Sequence, residues 1–387
     1  MQHTISRPTQ SNNMAEIVRQ GRQFLARMQI TGAPLQHEPR RIAIFRALQL
    51  GDLLVAIPAI RALRARFPRA EITLIGLPIA QAFVQRYPQY LNRFVPFPGY
   101  PGIREKEIDY EHIQRFLMEQ RGYEYDLVIQ MHGSGQISNP FALDLHASTT
   151  VGYYSENRPN GLAPAAPYPS DQHEIYRNLG LAALLKGCEL HPDLEFPLTD
   201  ADHTEARTLL QRIRVDRPRI GIHPGASSPA RRWSPDYFAR VADELVERLD
   251  AQIIITGHRN EQDIAETVIA HMQHAAHNLS LYNFAGQTGL GGLAAIISRL
   301  DLFISNDTGP AHLASALHCR SITLFGPAEY RRWAPLDQQQ HVALRHPVSC
   351  SPCGYRECPI DHRCLRWLDP EIVIQYAARL CRKKGDK

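Results

Sequence analysis

Short apolar runs alternate with longer amphipathic stretches along most of this chain. The apolar runs have the length and β-branched content of buried strands, and they lie at 41–47, 71–76, 126–130, 220–223, 252–256, 302–305 and 321–325. The stretches between them carry apolar residues at helical spacing, and they lie at 60–67, 235–249, 261–272, 293–298 and 312–317. Strands that alternate with helices in this way indicate right-handed βαβ units and parallel sheets. The pattern therefore predicts an α/β fold.

Two weaker regions interrupt this pattern. Residues 156–170 are rich in Pro, Ala and Asn, which predicts a loop, and residues 199–217 are expected to be a linker. The expected organisation is an N-terminal extension at 1–38, Rossmann-like domains at 39–205 and 206–345, and a Cys-rich segment with a C-terminal helix at 346–387. Because ligands bind beyond the carboxyl ends of parallel strands, we expect the two sheets to face a central cleft.

The N-terminal extension contains one predicted helix. Residues 1–13 are polar and are expected to be disordered, whereas apolar residues and arginines alternate at helical spacing over 14–30. One interpretation packs this helix on the main body of the protein. The other lays it as a basic amphipathic segment on an anionic membrane surface, to which the basic residues at 382–384 would add weak attraction.

Composition excludes several classes of protein. The 387 residues are 44% apolar and 21% charged, which is typical of a soluble globular chain with sizeable cores. The 43 basic and 39 acidic residues give a net charge of +4, which is too small to indicate a nucleic-acid partner. No apolar run approaches the roughly 20 residues of a membrane-spanning helix, and the N-terminus lacks the pattern of a secretory signal. We therefore expect a cytoplasmic protein.

A carboxylate follows the first predicted strand. Leu50, Gly51 and Asp52 come directly before a helical stretch. In the structural interpretation, Gly51 permits a turn and Asp52 caps the helix. In the chemical interpretation, Asp52 is aimed into the cleft, where its carboxylate takes a proton from an incoming hydroxyl. On these residues alone the structural interpretation is favoured.

The first strand of the second domain leads into a loop of small residues. The loop and its continuation contain His223, Pro224, Gly225, Ala226, Ser227, Ser228, Arg231, Arg232 and Trp233. A loop of small residues lets backbone N–H groups approach a phosphate, and a cation a few residues later neutralises it. The alternative is a solvated loop beside a buried tryptophan.

The most informative cluster follows the predicted strand at 302–305. Asn306, Asp307, Thr308, Gly309 and His312 surround the expected start of a helix. Capping by Asp307 or Thr308 explains one polar residue there but not all of them. Because the N-terminal end of a helix attracts anions, this end and Arg232 are predicted to hold a diphosphate without a metal ion.

Other acidic positions have competing interpretations. Glu261 follows the predicted strand at 252–256, and it either bonds a ribose hydroxyl or starts a helix. Asp200 and Asp202 spell the DxD pattern of metal-dependent sugar transferases. They precede a helix, so capping explains them better than metal binding.

Three long stretches resemble glycosyltransferase family 9, the heptosyltransferases of bacterial lipopolysaccharide assembly. They are LGDLLVAIPAIRALRARFP (50–68), HPGASSPARRWSPDYFARVADEL (223–245) and FISNDTGPAHLASALHCRSITLFGP (303–327). The resemblance covers about residues 40–375. It implies a GT-B architecture, in which the N-terminal domain binds the acceptor and the C-terminal domain binds a nucleotide sugar. It also implies an inverting transfer with Asp52 as the catalytic base.

The resemblance also assigns residues to the donor. Arg232 matches a position at which the family often has a lysine that contacts the phosphates. The predicted donor site consists of Gly225, Ser227, Arg231, Arg232, Glu261, Asn306, Asp307, Thr308, Gly309 and His312. On the acceptor side, His132, Asn139 and His173 are candidates, and each has a structural alternative.

The implied function is transfer of heptose from ADP-heptose to a bacterial glycan such as the lipopolysaccharide core, with no cofactor in catalysis. Such an acceptor implies peripheral association with the cytoplasmic face of the inner membrane. Open alternatives keep the mechanism but use another nucleotide sugar, or a protein or exopolysaccharide acceptor. A non-catalytic binding protein and an NAD-dependent oxidoreductase are less favoured, the latter because no GxGxxG follows either opening strand.

Four cysteines lie close together near the C-terminus, at Cys350, Cys353, Cys358 and Cys364. In a reducing compartment, this spacing predicts a structural zinc or iron site rather than two disulfides. The resemblance points the same way, since some members of the family carry a cysteine-based metal site in this region. The alternative is a set of partly buried free thiols.

Overall fold

The computed structural model of this chain describes residues 11–273 and 280–381, which form two compact units. The N-terminal unit is Ile17–Pro197, and the C-terminal unit is the described part of Leu198–Lys387 together with that of Met1–Glu16. The sequence suggested a boundary between residues 205 and 206, whereas the units divide between residues 197 and 198. The difference arises because a helix in the expected linker, Asp200–Leu210, packs on the helix Leu290–Ile297 of the C-terminal unit.

A six-stranded parallel sheet forms the centre of the N-terminal unit. In chain order, the elements up to its end are α1 (Ser11–Thr31), β1 (Arg41–Phe45), α2 (Leu50–Leu54), α3 (Ile57–Arg66), β2 (Glu71–Gly76), α4 (Ile79–Arg86), β3 (Arg93–Pro96), α5 (Tyr110–Gly122), β4 (Leu127–Gln130), α6 (Ser138–Asp144), β5 (Thr149–Tyr154), β6 (Leu162–Pro167) and α7 (Glu174–Ala183). The strand order is β3-β2-β1-β4-β5-β6. The order of strands therefore reverses between β1 and β4, which lie side by side.

The C-terminal unit repeats this plan. Its elements are α8 (Asp200–Leu210), β7 (Arg219–His223), α9 (Pro235–Leu249), β8 (Gln252–Ile255), α10 (Gln262–His271), β9 (Leu281–Asn283), α11 (Leu290–Ile297), β10 (Leu302–Asn306), α12 (Gly309–Ala316), β11 (Ser321–Phe325), α13 (Tyr330–Trp333), β12 (His341–Arg345), α14 (Arg363–Arg366) and α15 (Pro370–Cys381). The parallel strands have the order β12-β11-β10-β7-β8-β9, which reverses between β7 and β10. The predicted α/β class with two Rossmann-like sheets is confirmed.

Residues 156–170, expected to be a loop, contain a strand. β6 pairs with β5, and the pairing shifts in register between Thr150 and Gly152. This strand carries Pro164 and Pro167, which cannot donate a hydrogen bond to a neighbouring strand. Because β6 lies at the edge of the sheet and has one neighbour, the prolines are tolerated there. The loop prediction was wrong because it took proline content as evidence against any strand.

The N-terminal helix is packed on protein. Gly21 of α1 lies against the ring of Tyr176, and Phe24 lies against Gly180, so α1 packs on α7. Ile17, Phe24 and Leu25 are buried as a result. This confirms the first interpretation of the extension. Most of the polar segment expected at 1–13, and the basic residues at 382–384, lie outside the described residues.

An aromatic cluster fills the core of the N-terminal unit. Phe141 of α6 is fully buried, and its ring centroid lies 4.4 Å from that of Phe45 and 5.2 Å from that of Phe97. Phe45 is the last residue of β1, so this cluster supports the end of the strand from which the chain runs on to Asp52. Packing at this point therefore holds a predicted site residue in place.

Membrane-spanning segments were sought among the helices of residues 11–273 and 280–381. None of these helices combines the length and the apolar character needed to cross a bilayer.

Replacing Phe141 by alanine is expected to destabilise the protein by about 3–5 kcal/mol, because a buried ring is lost and its cavity closes only partly. Chemical denaturation followed by circular dichroism measures this change. Met118→Ala on α5 is the control, since Met118 is 69% exposed and its loss should change the free energy of unfolding by less than about 0.5 kcal/mol. Equal effects of the two substitutions would contradict the assigned core.

Candidate active site

Three loops of the C-terminal unit leave its sheet at the same edge. They follow β7, β8 and β10, which are neighbours in the sheet. The order of strands reverses between β7 and β10, and at such a point the connections leave on opposite sides of the sheet and open a crevice. The predicted donor residues are distributed over these three loops.

Asn306 ties two of these loops together. It is fully buried, its Nδ2 donates to the carbonyls of Pro224 (2.8 Å) and Gly225 (3.3 Å), and its Oδ1 accepts from the backbone N–H of Trp233 (2.9 Å). Both ends of this side-chain amide are therefore bonded to the protein backbone. The structure places Asn306 as the residue that fixes the loop after β7, in a different role from the donor contact predicted from the sequence.

The turn after β10 leads into α12. Thr308 is the N-cap residue of α12 by position, but its side chain makes no capping hydrogen bond. Gly309 and Pro310 form the first turn of α12, and His312 is buried with its ring centroid 6.1 Å from that of Trp333. Capping by Thr308 therefore does not account for the polar side chains of this turn. The positive end of the α12 dipole is left beside them.

Arg231, rather than Arg232, lies beside this turn. The Nη1 atom of Arg231 is 3.6 Å from Oδ2 of Asp307, whose side chain is 5% exposed, whereas that of Arg231 is 42% exposed. Arg232 instead donates from Nε to the carbonyl of Ala226 (2.9 Å). It also lines a cavity of about 610 Å³ together with Tyr237 and Arg366. Arg231 thus reaches both the buried carboxylate and solvent.

The turn that carries Arg231 is supported by the Cys-rich segment. Pro229–Arg231 forms a short 3₁₀ turn. The carbonyl of Arg356 accepts from the hydroxyl of Ser228 (2.8 Å) and from the N–H of Ala230 (3.0 Å). Nε2 of His362 donates to the carbonyl of Ala230 at 2.6 Å. The segment around residues 356–362 therefore fixes the path of this turn.

Glu261 lies over the loop after β7. Its Oε2 accepts from the N–H of His258 (2.8 Å) and lies 3.5 Å from Nε2 of His223. A Cβ atom at Gly225 would overlap the Glu261 carboxylate, so a larger residue there would displace this carboxylate. The helix-starting interpretation is confirmed, because Glu261 completes a capping box with His258. Its Oε1 makes no hydrogen bond within the described part of the chain, so a ligand contact is compatible with capping.

His223 belongs to this cluster and was not assigned a role from the sequence. Its Nδ1 lies 3.1 Å from the hydroxyl of Thr256, and burial lowers the pKa of the imidazole while the nearby Glu261 opposes that shift. The neutral ring is therefore favoured. The signal that could have revealed it is the position of a histidine as the last residue of an apolar strand. Ser227, in contrast, is exposed on the loop.

In the N-terminal unit, Asp52 lies in the first turn of α2. The N-cap residue of that helix is Gln49, which makes no side-chain capping bond, so Asp52 is not the N-cap residue. A carboxylate in the first turn still stabilises the positive end of a helix, so the structural interpretation is compatible with the chemical one. Pro58 lies in the first turn of α3, where its missing N–H costs no helical bond. The Asp52 side chain is 25% exposed.

A buried arginine contacts Asp52 and was not predicted. Arg46 directly follows β1, and its Nε donates to the backbone carbonyl of Asp52 at 2.8 Å. Its Nη2 lies 3.9 Å from Oδ1 of Asp52 and 3.3 Å from Oε1 of Glu174. An arginine directly after the buried apolar run at 42–45 was the available signal.

The three acceptor-side candidates have structural roles. His132 stacks on Phe45 and accepts from the N–H of Ala47, and burial together with Arg46 lowers the pKa of its imidazole to about 4. Asn139 bonds Gln130 and the carbonyl of Tyr153. His173 is the N-cap residue of α7. Their structural alternatives are therefore supported.

Asp200 and Asp202 lie in the first turn of α8. Thr199 accepts from the N–H of Asp202 (3.3 Å), and Asp202 accepts from the N–H of Thr199 (2.8 Å), which is a complete capping box. Capping, rather than metal binding, explains this pattern, as expected.

The four clustered cysteines line one small cavity of about 20 Å³. Burial raises the pKa of the Cys364 thiol to about 11. The Sγ of Cys358 accepts from the N–H of His362. Within residues 11–273 and 280–381, no group of three or more His, Cys, Asp or Glu side chains could hold a metal ion. The predicted zinc or iron site is therefore not supported, and the cysteines are free thiols.

Known proteins share this fold and sequence pattern. The model of glycosyltransferase family 9 (heptosyltransferase) matches residues 113–363. Lipooligosaccharide heptosyltransferase 2 of Campylobacter jejuni is 25% identical over 86% of this chain and 95% of that protein. A glycosyltransferase family 9 structure from Veillonella parvula aligns with a TM-score of 0.71 at 19% identity, over 90% of this chain and 99% of that one.

The Escherichia coli ADP-heptose lipopolysaccharide heptosyltransferase II aligns with a TM-score of 0.69 at 20% identity, over 88% of this chain and 98% of that one. These structural likenesses show the GT-B fold that the sequence predicted. The family model covers more than half of the residues and includes the loops after β7, β8 and β10. This chain therefore belongs to glycosyltransferase family 9, the heptosyltransferase family.

Proposed function

We propose that this glycosyltransferase transfers heptose from ADP-heptose to a glycan acceptor of the lipopolysaccharide core, with inversion at the anomeric carbon. The observation that carries this proposal is the grouping of Arg231, Asp307 and the start of α12 at the edge of the second sheet. The names of two relatives support the substrates, since one is called a lipooligosaccharide heptosyltransferase and the other an ADP-heptose heptosyltransferase.

The donor diphosphate would be held by fixed positive groups. Arg231 is partly exposed, so its remaining N–H groups can bond phosphate oxygens while Asp307 orients the guanidinium. The backbone N–H groups at the start of α12 and the helix dipole add positive potential. Glu261 is placed to accept a hydrogen bond from a ribose hydroxyl through Oε1. Arg231 takes the phosphate-binding role that the sequence assigned to Arg232.

The proposed base is Asp52. The acceptor oxygen attacks the anomeric carbon from the face opposite the diphosphate, and a C–O bond forms as the anomeric C–O bond to phosphate breaks. The departing ADP keeps the electron pair of the broken bond, and its growing charge is stabilised by Arg231 and α12. Asp52 takes the proton of the attacking hydroxyl. The Asp52 side chain is 25% exposed, so an acceptor hydroxyl can reach its carboxylate.

The location of the protein follows from this acceptor. A lipid-linked core glycan is met at a membrane surface, so peripheral association with the cytoplasmic face of the inner membrane stays a prediction.

Thr308, Gly309 and His312 complete the donor turn in this proposal, and Gly225 and Ser227 belong to the neighbouring loop.

Incubation of the protein with labelled ADP-heptose and heptose-free lipid A–core glycans should give a heptosylated core. Asp52→Ala should lower kcat by at least about 100-fold, the usual scale of lost general-base catalysis, while ADP still binds. Isothermal titration with ADP checks the binding. Asp109→Asn is the control, because it keeps a capping side chain at the start of α5.

Near-normal turnover of Asp52→Ala would remove this residue from the mechanism. Heptose transfer to a protein or an exopolysaccharide, but not to core glycans, would contradict the proposed acceptor. Labelling only by another nucleotide sugar would contradict the donor.

The two arginines should differ in donor binding. Arg231→Met removes a charged contact to phosphate, so the Kd for ADP should rise by about tenfold to 100-fold. Arg232→Met should change this Kd by less than about threefold, because its Nε bonds Ala226 and its side chain lines a separate cavity. Titration calorimetry at two salt concentrations measures both. The reverse order of effects would restore the assignment made from the sequence.

Transfer is expected to need no metal ion. Activity should persist in excess EDTA, because the proposed donor site supplies its positive charge from Arg231 and α12. Elemental analysis of the purified protein should show less than about 0.1 equivalent of zinc or iron, since a bound structural metal is normally stoichiometric. One equivalent of either metal would contradict the assignment of the cysteines as free thiols.

A further inference from the structure

Asp52 is the outer end of a row of alternating charges. Arg46 lies between two carboxylates, with Nη2 at 3.9 Å from Asp52 and 3.3 Å from Glu174. Glu174 in turn receives Nη1 of Arg177 at 2.6 Å. The side chains of Arg46, Glu174 and Arg177 are 1%, 5% and 4% exposed, whereas that of Asp52 is 25% exposed. The row therefore runs from the interior of the N-terminal unit to solvent at Asp52.

Arg46 is held rigidly at the centre of this row. Its Nη1 donates to the carbonyl of Met131 and to Oδ1 of Asn178 (3.1 Å), and its Nε donates to the carbonyl of Asp52. These partners lie directly after β4, in α2 and in α7. A guanidinium fixed by groups from three parts of the unit cannot turn away from the carboxylate that it faces.

The inner part of the row is costly if its only role is to hold the fold. Burying charged groups carries a desolvation penalty, and apolar side chains of similar volume are often as stable as a buried ion pair. Glu174 uses both carboxylate oxygens on arginines, Oε1 on Arg46 and Oε2 on Arg177. The negative charge of Glu174 therefore offsets the positive charge of Arg46, which also acts on Asp52 from a similar distance.

We propose that Arg46 is a positioning residue that sets the orientation and proton affinity of Asp52, and that Glu174 moderates its effect. This inference rests on the role of Asp52 as the base proposed above. The hydrogen bond from Arg46 to the Asp52 carbonyl fixes the first turn of α2, and the guanidinium charge favours an ionised carboxylate. Glu174 keeps that influence small enough for the carboxylate to accept a proton during transfer.

Electrostatics gives the two partners opposite signs. The positive Arg46 favours the ionised form of Asp52, so loss of its charge raises the pH at which the base becomes protonated. The negative Glu174 offsets Arg46, so loss of its charge lowers that pH. Because the base must be ionised, activity falls as the pH drops below the value at which Asp52 becomes protonated.

The other titratable groups facing this row come from neighbouring elements. Arg177 and His173 lie on α7 or at its start, and Arg177 also bonds the carbonyls of Ser170 and Gln172. His132 follows β4, and its Nε2 lies 3.7 Å from Glu105. Burial and Arg46 hold the pKa of His132 at about 4, so this ring stays neutral above pH 5 and does not produce the expected shifts.

The experiment measures kcat against pH between 5 and 9 with ADP-heptose and heptose-free lipid A–core glycans. The acid limb of this profile is the pH range in which kcat falls as Asp52 becomes protonated. In Arg46→Met the acid limb should move up by about one pH unit, and in Glu174→Gln it should move down by about one unit. Arg46→Lys keeps the charge, so its limb should stay near that of the native protein and its kcat should exceed that of Arg46→Met. The KM for ADP-heptose should change by less than about threefold in all of them.

Glu195→Gln is the matched control. Glu195 belongs to another ion pair of the same unit, with Arg61 at 2.7 Å, and its loss should leave the acid limb in place. Limbs that stay fixed or move in one common direction in the Arg46→Met and Glu174→Gln variants would overturn the proposal. If Arg46→Met does not fold, as judged by circular dichroism, a limb that does not move down in Glu174→Gln overturns it.

A second measurement separates this inference from the proposed function. Carbon-13 NMR of the aspartate carboxyl groups follows the protonation of Asp52 directly, with its signal assigned by its absence from Asp52→Asn. The same opposite shifts in Arg46→Met and Glu174→Gln support the electrostatic role even if no tested acceptor is glycosylated. Inactivity of the native protein would then count against the proposed function alone, and unshifted titrations would overturn the inference alone.

Discussion

Fixed charge at the ends of parallel strands is the constraint on which the candidate residues of each unit depend. Each sheet reverses its strand order once, between β1 and β4 and between β7 and β10, and the chemistry-bearing residues follow these strands. A reaction that builds charge on a leaving group is helped by dipoles and ions that are already oriented. Arg46 and Arg231 meet this requirement through buried acidic partners, Glu174 and Asp307.

Much of the fold could be predicted from the sequence for a physical reason. Strands covered on both faces by helices are continuous apolar runs, so β2 and β11 were located to the residue, and α9 showed a clear amphipathic pattern. The edge strand β6 was missed because one free side lets it carry prolines. A helix was expected after Asp200 and Asp202, but its residues were assigned to a linker, because a short helix that covers another helix needs few apolar residues to show that it belongs to the C-terminal unit.

The sequence located the loops that carry the candidate site, but it assigned the roles of individual residues less accurately. The β7 and β10 loops were identified because small and polar residues at strand ends are visible in sequence. The distinction between Arg231 and Arg232 was not visible, since adjacent arginines have the same chemistry and differ in direction. The structural role of Asn306 depends on its hydrogen bond with Trp233, and the role of Arg46 depends on its ion pair with Glu174. In each pair the two residues lie far apart along the chain, so the sequence does not show the contact. The cysteine spacing suggested a metal that the arrangement of the thiols does not support.

The Cys-rich segment has a consequence for how donor recognition can change. The backbone of Arg356 and the ring of His362 shape the turn that carries Arg231, although more than 100 residues separate them along the chain. Under the proposed role of Arg231, substitutions in this segment would change the affinity for the nucleotide without replacing Arg231 itself. For evolution or engineering, the C-terminal segment thus offers positions at which the proposed binding of phosphate by Arg231 can be changed indirectly.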